Sequence, residues 1–144
     1  MSISSRFSVG IHILTLIEFN KEGVTTSEFI ASSVNTNPAV IRKLMGMLKK
    51  AGLIEVQPGI PGAKLTKERS DITLFDVYKA VNVVQENELF SIHENSNPNC
   101  PVGRNIQNTV EQLFITAQLA MEKVLKSLTL DDVMQDVVTQ ENSC

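Results

Sequence analysis

The amino-acid sequence predicts a mainly α-helical fold with one small β-hairpin. Apolar residues recur at helical spacing in several segments, whereas only residues 53–66 combine short β-prone runs with a turn rich in Gly and Pro. The chain has 144 residues, of which 42% are hydrophobic, and this is enough for one domain with a helical extension.

Two short helices joined by a tight turn are predicted after the first helix, which spans residues 4–20. Thr25 and Glu28 have the S/T-x-x-E spacing of a capping box, which predicts that a helix begins there. Asn37 is a good N-cap and Pro38 suits the first helical position, so a second helix is expected to begin at this point.

The second of these helices has one apolar side and one basic side. The apolar side consists of Ile41, Leu44, Met45 and Leu48, and the basic side of Arg42, Lys43, Lys49 and Lys50. Gly52 tolerates a positive φ angle and is expected to end the helix, and the hairpin of residues 53–66 follows it. Helix, turn, basic helix and hairpin in this order are typical of a winged helix-turn-helix domain that binds DNA.

Charge is distributed unevenly along the chain, although the net charge is only −3. Residues 38–69 hold seven basic and two acidic side chains, a net of +5, while residues 70–144 hold four basic and eleven acidic side chains, a net of −7. The competing interpretation is that the basic residues only solvate an amphipathic helix. DNA binding is favoured because the charge coincides with the turn, the capped second helix and the hairpin.

The helix-turn-helix pattern predicts which residues contact DNA. In such a motif the first turn of the second helix points at base edges in the major groove. The expected base-reading positions are Asn37, Ala39, Val40, Arg42 and Lys43, with Arg42 as the reader of guanine. Phosphate contacts are expected from Thr25, Thr26 and Ser27 at a helix N-terminus and from Lys49, while the hairpin's Lys64 is expected to enter the minor groove.

A long amphipathic helix is predicted in the last third of the chain. Residues 1–90 form the predicted DNA-binding domain, 91–104 a loop, 105–138 a dimerisation helix with a short terminal helix, and 139–144 a tail. The expected dimer seam consists of Ile106, Val110, Leu113, Ala117, Ala120 and Val124. The helix forms a rod of about 34 Å, which is longer than the other helices of so small a domain can cover. A second chain is therefore expected to pack on the dimer seam. The alternative is that the seam packs only against its own subunit.

The sequence predicts neither a membrane protein nor an enzyme. No run approaches the roughly 20 apolar residues that span a bilayer, and the first helix lacks a signal-peptide cleavage site, so a cytosolic protein is expected. His12 lies in the apolar first helix, and His93 lies in the loop without nucleophile or metal partners at suitable spacing.

The order of these motifs resembles the Rrf-two family, the IscR-like bacterial transcription regulators, over residues 1 to about 135. The resemblance rests on the Pro-started helix that ends in Lys-Lys-Ala-Gly-Leu-Ile, the Gly-rich hairpin, Ile72-Thr-Leu-Phe-Asp-Val-Tyr-Lys-Ala-Val81, Cys100-Pro-Val, the long helix and Leu128-Thr-Leu-Asp-Asp-Val133. It implies a homodimeric repressor or activator with a winged helix at each end and long helices that cross between subunits.

Many members of that family bind an iron–sulfur cluster through three cysteines before the long helix, and this sequence departs from that pattern. Only Cys100 occupies such a position, with Glu94 and Ile106 near the other two. One thiolate cannot hold a cluster that needs about four ligands, so we expect no cluster and no metal site. Cys100 is either an inert loop residue or a redox-reactive thiol whose pKa Arg104 lowers modestly. The terminal Cys144 has no required disulfide partner.

The predicted function is a sequence-specific transcription regulator that acts as a homodimeric repressor on a palindromic operator, with activation left open. The alternative is a winged-helix module for protein contacts, whose basic face would meet an acidic partner instead of DNA. A small molecule or another protein remains open as the effector.

Overall fold

A computed structural model describes residues 3–81, 90 and 92–142 of the chain. These residues fall into two compact units. The first comprises the described residues of Met1–Asn82 and Lys126–Cys144, and the second those of Val83–Leu125. The domain boundary predicted at residue 90 adjoins residues 82–89 and 91, which lie outside the described part.

The predicted fold class is confirmed, since the described residues form six α-helices and one two-stranded sheet. The elements in chain order are α1 (Ile3–Phe19), α2 (Ser27–Val34), α3 (Pro38–Lys50), β1 (Ile54–Glu55), β2 (Lys64–Leu65), a 3₁₀ helix (Arg69–Asp71), α4 (Leu74–Val81), α5 (Pro101–Ser127) and α6 (Leu130–Asn142). Helix α1 is the centre of the first unit and packs against α2, α3, α4 and α6.

Helix α1 is apolar on nearly all sides because it is covered by other helices. Ile13, Leu14 and Ile17 are buried and belong to one core cluster with residues from α2, α3, α4, the hairpin and α6. Gly10 allows α4 to come close, since a Cβ atom there would lie 3.1 Å from side-chain atoms of Val77 and Val81.

The start of α2 differs by one residue from the prediction. The N-cap is Thr26, whose hydroxyl oxygen accepts a hydrogen bond from the Phe29 amide at 3.1 Å. The capping box predicted for Thr25 and Glu28 is therefore wrong. Two adjacent threonines could each cap the helix, and Thr26 does so. Thr25 is buried, with 1% exposure, and its hydroxyl accepts a hydrogen bond from the Asn20 side-chain amide at 3.1 Å.

The predicted start and end of α3 are confirmed. The side-chain oxygen of Asn37 accepts from the Ala39 amide at 2.7 Å, and Pro38 occupies the first turn. Helix α3 ends at Lys50, and Gly52 follows with a φ of 79°.

The hairpin is the predicted wing, with Ile54 opposite Leu65 and Glu55 opposite Lys64 in an antiparallel pair. Its return strand is anchored to the α2 segment because the Ala63 amide donates to the Thr25 carbonyl at 3.2 Å.

Helices α4 and α6 each begin at a capping box with T-x-x-D spacing. Thr73 and Asp76 exchange backbone-to-side-chain hydrogen bonds of 3.0 and 3.1 Å, and Thr129 and Asp132 exchange bonds of 2.9 and 3.2 Å. The two caps are neighbours, since Thr73 and Thr129 form an antiparallel bridge.

Helix α6 differs from the predicted domain division in its length and in its position. It extends to Asn142 rather than ending near residue 138, so residues 139–142 are helical and not a tail, while residues 143–144 lie outside the described part. It also packs on α1 in the first unit, with Asp131 2.7 Å from Arg69, instead of extending the dimerisation segment.

Helix α5 is longer than predicted. It begins at Pro101 rather than at residue 105, because Pro suits the first helical position, so the loop before it ends at Cys100. At about 1.5 Å per residue, its 27 residues form a rod of about 40 Å. No helix in the described ranges is both long and apolar enough to cross a membrane.

Candidate nucleic-acid interface

Most of the predicted DNA-binding residues of α2 and α3 meet at one cleft. This cleft, of about 300 Å³, lies between the start of α2, one side of α3 and the wing, and we call it the α2–α3–wing cleft. The predicted site residues that line it are Thr25, Thr26, Ser27, Arg42 and Lys49. The wing closes the cleft through Gly62, which has a φ of 89° and whose Cβ position would lie 3.0 Å from the Thr25 amide nitrogen.

The exposed side of α3 carries most of the predicted base-reading residues. Ala39, Arg42 and Lys43 are exposed, and Arg42 and Lys43 follow Ala39 by three and four residues, so both neighbour Ala39 on the same face of the helix. Val40 is different, since it is half-buried and packs against the core, and its predicted base contact is not supported. Asn37 is exposed, but its side-chain oxygen already caps α3.

The start of α2 presents Thr26 and Ser27 to the cleft. Both residues are half-buried, and the positive end of the helix dipole at this point suits a phosphate oxygen. The buried Thr25 hydroxyl already accepts from Asn20, so its predicted phosphate contact is not supported.

Arg42 forms an ion pair with Glu28, the residue for which a capping box with Thr25 was predicted. Its guanidinium lies 3.5 Å from the Glu28 carboxylate, and both side chains are more than half exposed. Hydrogen bonds from the Glu28 backbone amide and the Ser27 hydroxyl, together with the charge of Arg42, hold the pKa of Glu28 below its ordinary value. The pair links α2 to α3, and exposed pairs of this kind are weakened by solvent, so DNA can displace it at small cost.

Lys64, for which a minor-groove contact was predicted, reaches back to the turn after α1. Its ammonium donates to the backbone carbonyls of Lys21 and Gly23, the latter at 3.2 Å. The side chain thus fastens the wing to the turn after α1, because an ammonium satisfies free carbonyls that the turn leaves exposed. The structure supports a positioning role for Lys64 in place of the predicted minor-groove contact.

Gly46 is a residue of the cleft that the sequence analysis missed. It lies inside α3, where Gly is roughly 1 kcal/mol less favourable than Ala, yet a Cβ atom there would meet nothing within 4 Å. The signal was present in the sequence as a Gly within a helical pattern, four residues after Arg42.

Cys100 is exposed and immediately precedes α5. Hydrogen bonds from the backbone amides of Gly103 and Val102 lower the pKa of its thiol. The predicted cause was Arg104, which instead donates to the Pro98 carbonyl at 3.3 Å. The thiol thus meets one condition for redox reactivity, through the helix N-terminus rather than through a neighbouring cation.

The predicted dimer seam on α5 is largely exposed within the single chain. Ile106, Leu113 and Val124 are 41%, 63% and 58% exposed. Ala117 and Ala120 are also exposed, while Val110 is half-buried. Large apolar side chains in such a row are unfavourable in water and are typical of interaction surfaces.

A helix-turn-helix with a basic second helix and an adjoining wing defines a winged-helix DNA-binding protein. A family model described as "Rrf2: Iron-dependent Transcriptional regulator" matches residues 3–136. The chain belongs to this family of transcription regulators, as the resemblance predicted, and is therefore a DNA-binding regulator and not an enzyme.

Individual relatives agree with this assignment. The chain is 50% identical over 132 residues to "Putative HTH-type transcriptional regulator YwnA" of Bacillus subtilis (strain 168), covering 92% of this chain and 96% of that protein. A crystal structure of "a putative DNA binding protein" shares 45% identity with a TM-score of 0.72, covering 90% of this chain and 98% of that one. The structure of CymR, the global cysteine regulator of B. subtilis, has the same fold, with 24% identity, a TM-score of 0.68 and coverage of 94% and 97%.

The Glu28–Arg42 pair generates a prediction about DNA affinity. Glu28→Gln removes a negative charge from the rim of the cleft, so affinity for a random-sequence duplex should rise by about two- to fivefold, the size of a surface charge interaction. Fluorescence anisotropy at fixed salt measures this change. Glu68→Gln is the matched control, since Glu68 is exposed but does not line the cleft. Equal gains in both variants, or a loss in Glu28→Gln, would contradict the role of Glu28.

Proposed function

We propose that this protein is a cytoplasmic, homodimeric repressor that binds a palindromic operator through α3 and the α2–α3–wing cleft. The observation that carries the proposal is the convergence of Arg42 and Lys49 from α3 with Thr26 and Ser27 from α2 on one cleft. Cations and a helix N-terminus at a concave surface suit the sugar–phosphate strand of a duplex.

Base reading and backbone binding are divided along α3. Arg42 lies near the helix start, where side chains reach base edges, and its planar fork suits the O6 and N7 atoms of guanine. Lys49 lies in the last turn, where a point charge contacts phosphate without reading sequence. On this proposal Arg42 gives specificity and Lys49 gives affinity.

The exposed apolar seam of α5 supports a homodimer. A second copy of the chain offers the same seam, so a two-fold contact covers both at once. A two-fold dimer places two α3 helices on half-sites about 34 Å or a multiple of this apart, which favours a palindromic operator. Repression needs only that the bound dimer cover promoter DNA, and it is the mode we propose.

The residues of this chain do not fit the iron–sulfur cluster that the resemblance to the IscR-like regulators implies for many members. The full sequence contains two cysteines, of which Cys100 precedes α5 and Cys144 is terminal, whereas a cluster needs about four ligands. Within the described ranges no three His, Cys, Asp or Glu side chains are grouped as metal ligands. We therefore propose that DNA binding requires no cluster, and that an effector, if present, acts elsewhere or through the Cys100 thiol.

The first test concerns base reading and uses an operator recovered by sequencing the DNA fragments that the purified protein retains. Arg42→Ala should cost about 1–3 kcal/mol of operator affinity and relax preference at one base pair in each half-site. Lys49→Ala should weaken operator and random duplex alike and reduce the slope of log K against log salt by about one.

Two results would contradict this division of roles. Equal losses on operator and random DNA for Arg42→Ala would remove it from base reading. Failure of the wild type to bind duplex DNA in a salt-sensitive manner would instead favour the protein-contact module.

The second test concerns the dimer. Leu113→Glu places a charge in the seam and should produce folded monomers with weak operator binding, as measured by sedimentation velocity and circular dichroism. Asn108→Glu is the matched control because it adds the same charge at an exposed position on another side of α5. A Leu113→Glu protein that remains dimeric, or equal dissociation of both variants, would place the interface elsewhere.

The third test concerns the cofactor. Purified protein should contain far less than one iron per chain, and Cys100→Ser should bind the operator with wild-type affinity. Elemental analysis and binding assays measure both quantities. A stable visible-absorbing cluster after anaerobic reconstitution would overturn the proposal. A peroxide effect on the DNA affinity of the wild type, but not of Cys100→Ser, would identify the thiol as a sensor.

A further inference from the structure

Gly46 has no structural reason to be Gly within the described part of the chain. It lies in the middle of α3, and a Cβ atom built there would meet nothing within 4 Å. Gly10 in α1 provides the contrast, since its Cβ would lie 3.1 Å from Val77 and Val81. Gly10 is explained by packing, whereas at Gly46 an Ala would fit the fold and favour the helix.

Gly46 lies at the centre of the surface that is proposed to meet DNA. Residues three and four apart share a helix face, so Gly46 is aligned with Arg42 and Lys43 on one side and Lys49 on the other. It also lines the α2–α3–wing cleft together with Ser27. The row of basic side chains on α3 is therefore interrupted at Gly46, which has no side chain and borders the cleft.

We propose that Gly46 is a positioning residue for DNA, whose missing side chain lets the sugar–phosphate strand enter the cleft. Close approach at this point allows the start of α2, at Thr26 and Ser27, and the Lys49 ammonium to reach the strand together. Hydrogen bonds to phosphate require heavy-atom distances of about 2.7–3.2 Å, so a displacement of the strand by one methyl group breaks them. This inference rests on the proposed DNA-binding function.

The inference predicts changes of opposite sign in stability and in binding. Ala or Leu at position 46 lowers the conformational cost of forming α3, so the melting temperature should rise. The same side chains occupy the space of the strand, so DNA affinity should fall. A folding defect would lower both quantities and is thereby distinguished.

The experiment compares the full-length wild type with Gly46→Ala and Gly46→Leu on a 30-base-pair random-sequence duplex at fixed salt. Gly46→Ala should bind about tenfold more weakly, the loss expected for one charge-assisted hydrogen bond, and Gly46→Leu more weakly still. The loss should be the same on any sequence, because the sugar–phosphate strand is common to all. Ser32→Ala is the control, since Ser32 is an exposed α2 residue outside the cleft whose replacement also favours the helix.

The outcomes separate this inference from the proposed function. Wild-type affinity in Gly46→Ala and Gly46→Leu, with normal DNA binding by the wild type, would overturn the role of Gly46 alone. Equal losses in Gly46→Ala and Ser32→Ala would also overturn it, because the effect would then come from helix stability. Absence of duplex binding by the wild type would overturn the proposed function first.

Discussion

The attachment of the wing to the start of α2 is the constraint on which the candidate interface depends. The Ala63 amide donates to the Thr25 carbonyl at 3.2 Å, and Gly62 beside it has a φ of 89° and no room for a Cβ atom. Lys64 adds a second attachment at the turn after α1. Because α3 packs on α1 and α2 through its buried side, these contacts bring the wing, α2 and the basic side of α3 around one cleft.

Local signals in the sequence predicted the helix boundaries where one residue type had no rival for its role. Asn37 with Pro38 forms the predicted cap of α3, and the T-x-x-D spacing of Thr73 with Asp76 and of Thr129 with Asp132 marks the other two caps. The start of α2 was misplaced because two threonines stand side by side and tertiary burial of Thr25 decided between them. The start of α5 and the end of α6 extended beyond the predicted limits, since polar residues at helix ends carry little apolar periodicity.

The candidate site could be predicted as a list of residues but not as an arrangement. Spacing placed Arg42 and Lys43 on the exposed side of α3, and the structure confirms their exposure. Periodicity along one helix could not show that Arg42 pairs with Glu28 from another, or that the Lys64 ammonium binds backbone carbonyls far away in the sequence. The sequence shows Gly46 as a residue of low helix propensity inside a helix. Only the structure shows that a Cβ atom would fit there, so that packing does not explain the presence of Gly.

If DNA lies against the α2–α3–wing cleft, an amide chemical-shift titration with duplex DNA will locate it there. We expect the largest shifts at residues that line the cleft, namely Thr26, Ser27, Arg42, Gly46 and Lys49. Residues of α6 such as Asp136, which lie outside that cleft, should change little because they contact no DNA. Shifts concentrated on α6, with the cleft residues unchanged at saturation, would contradict the account.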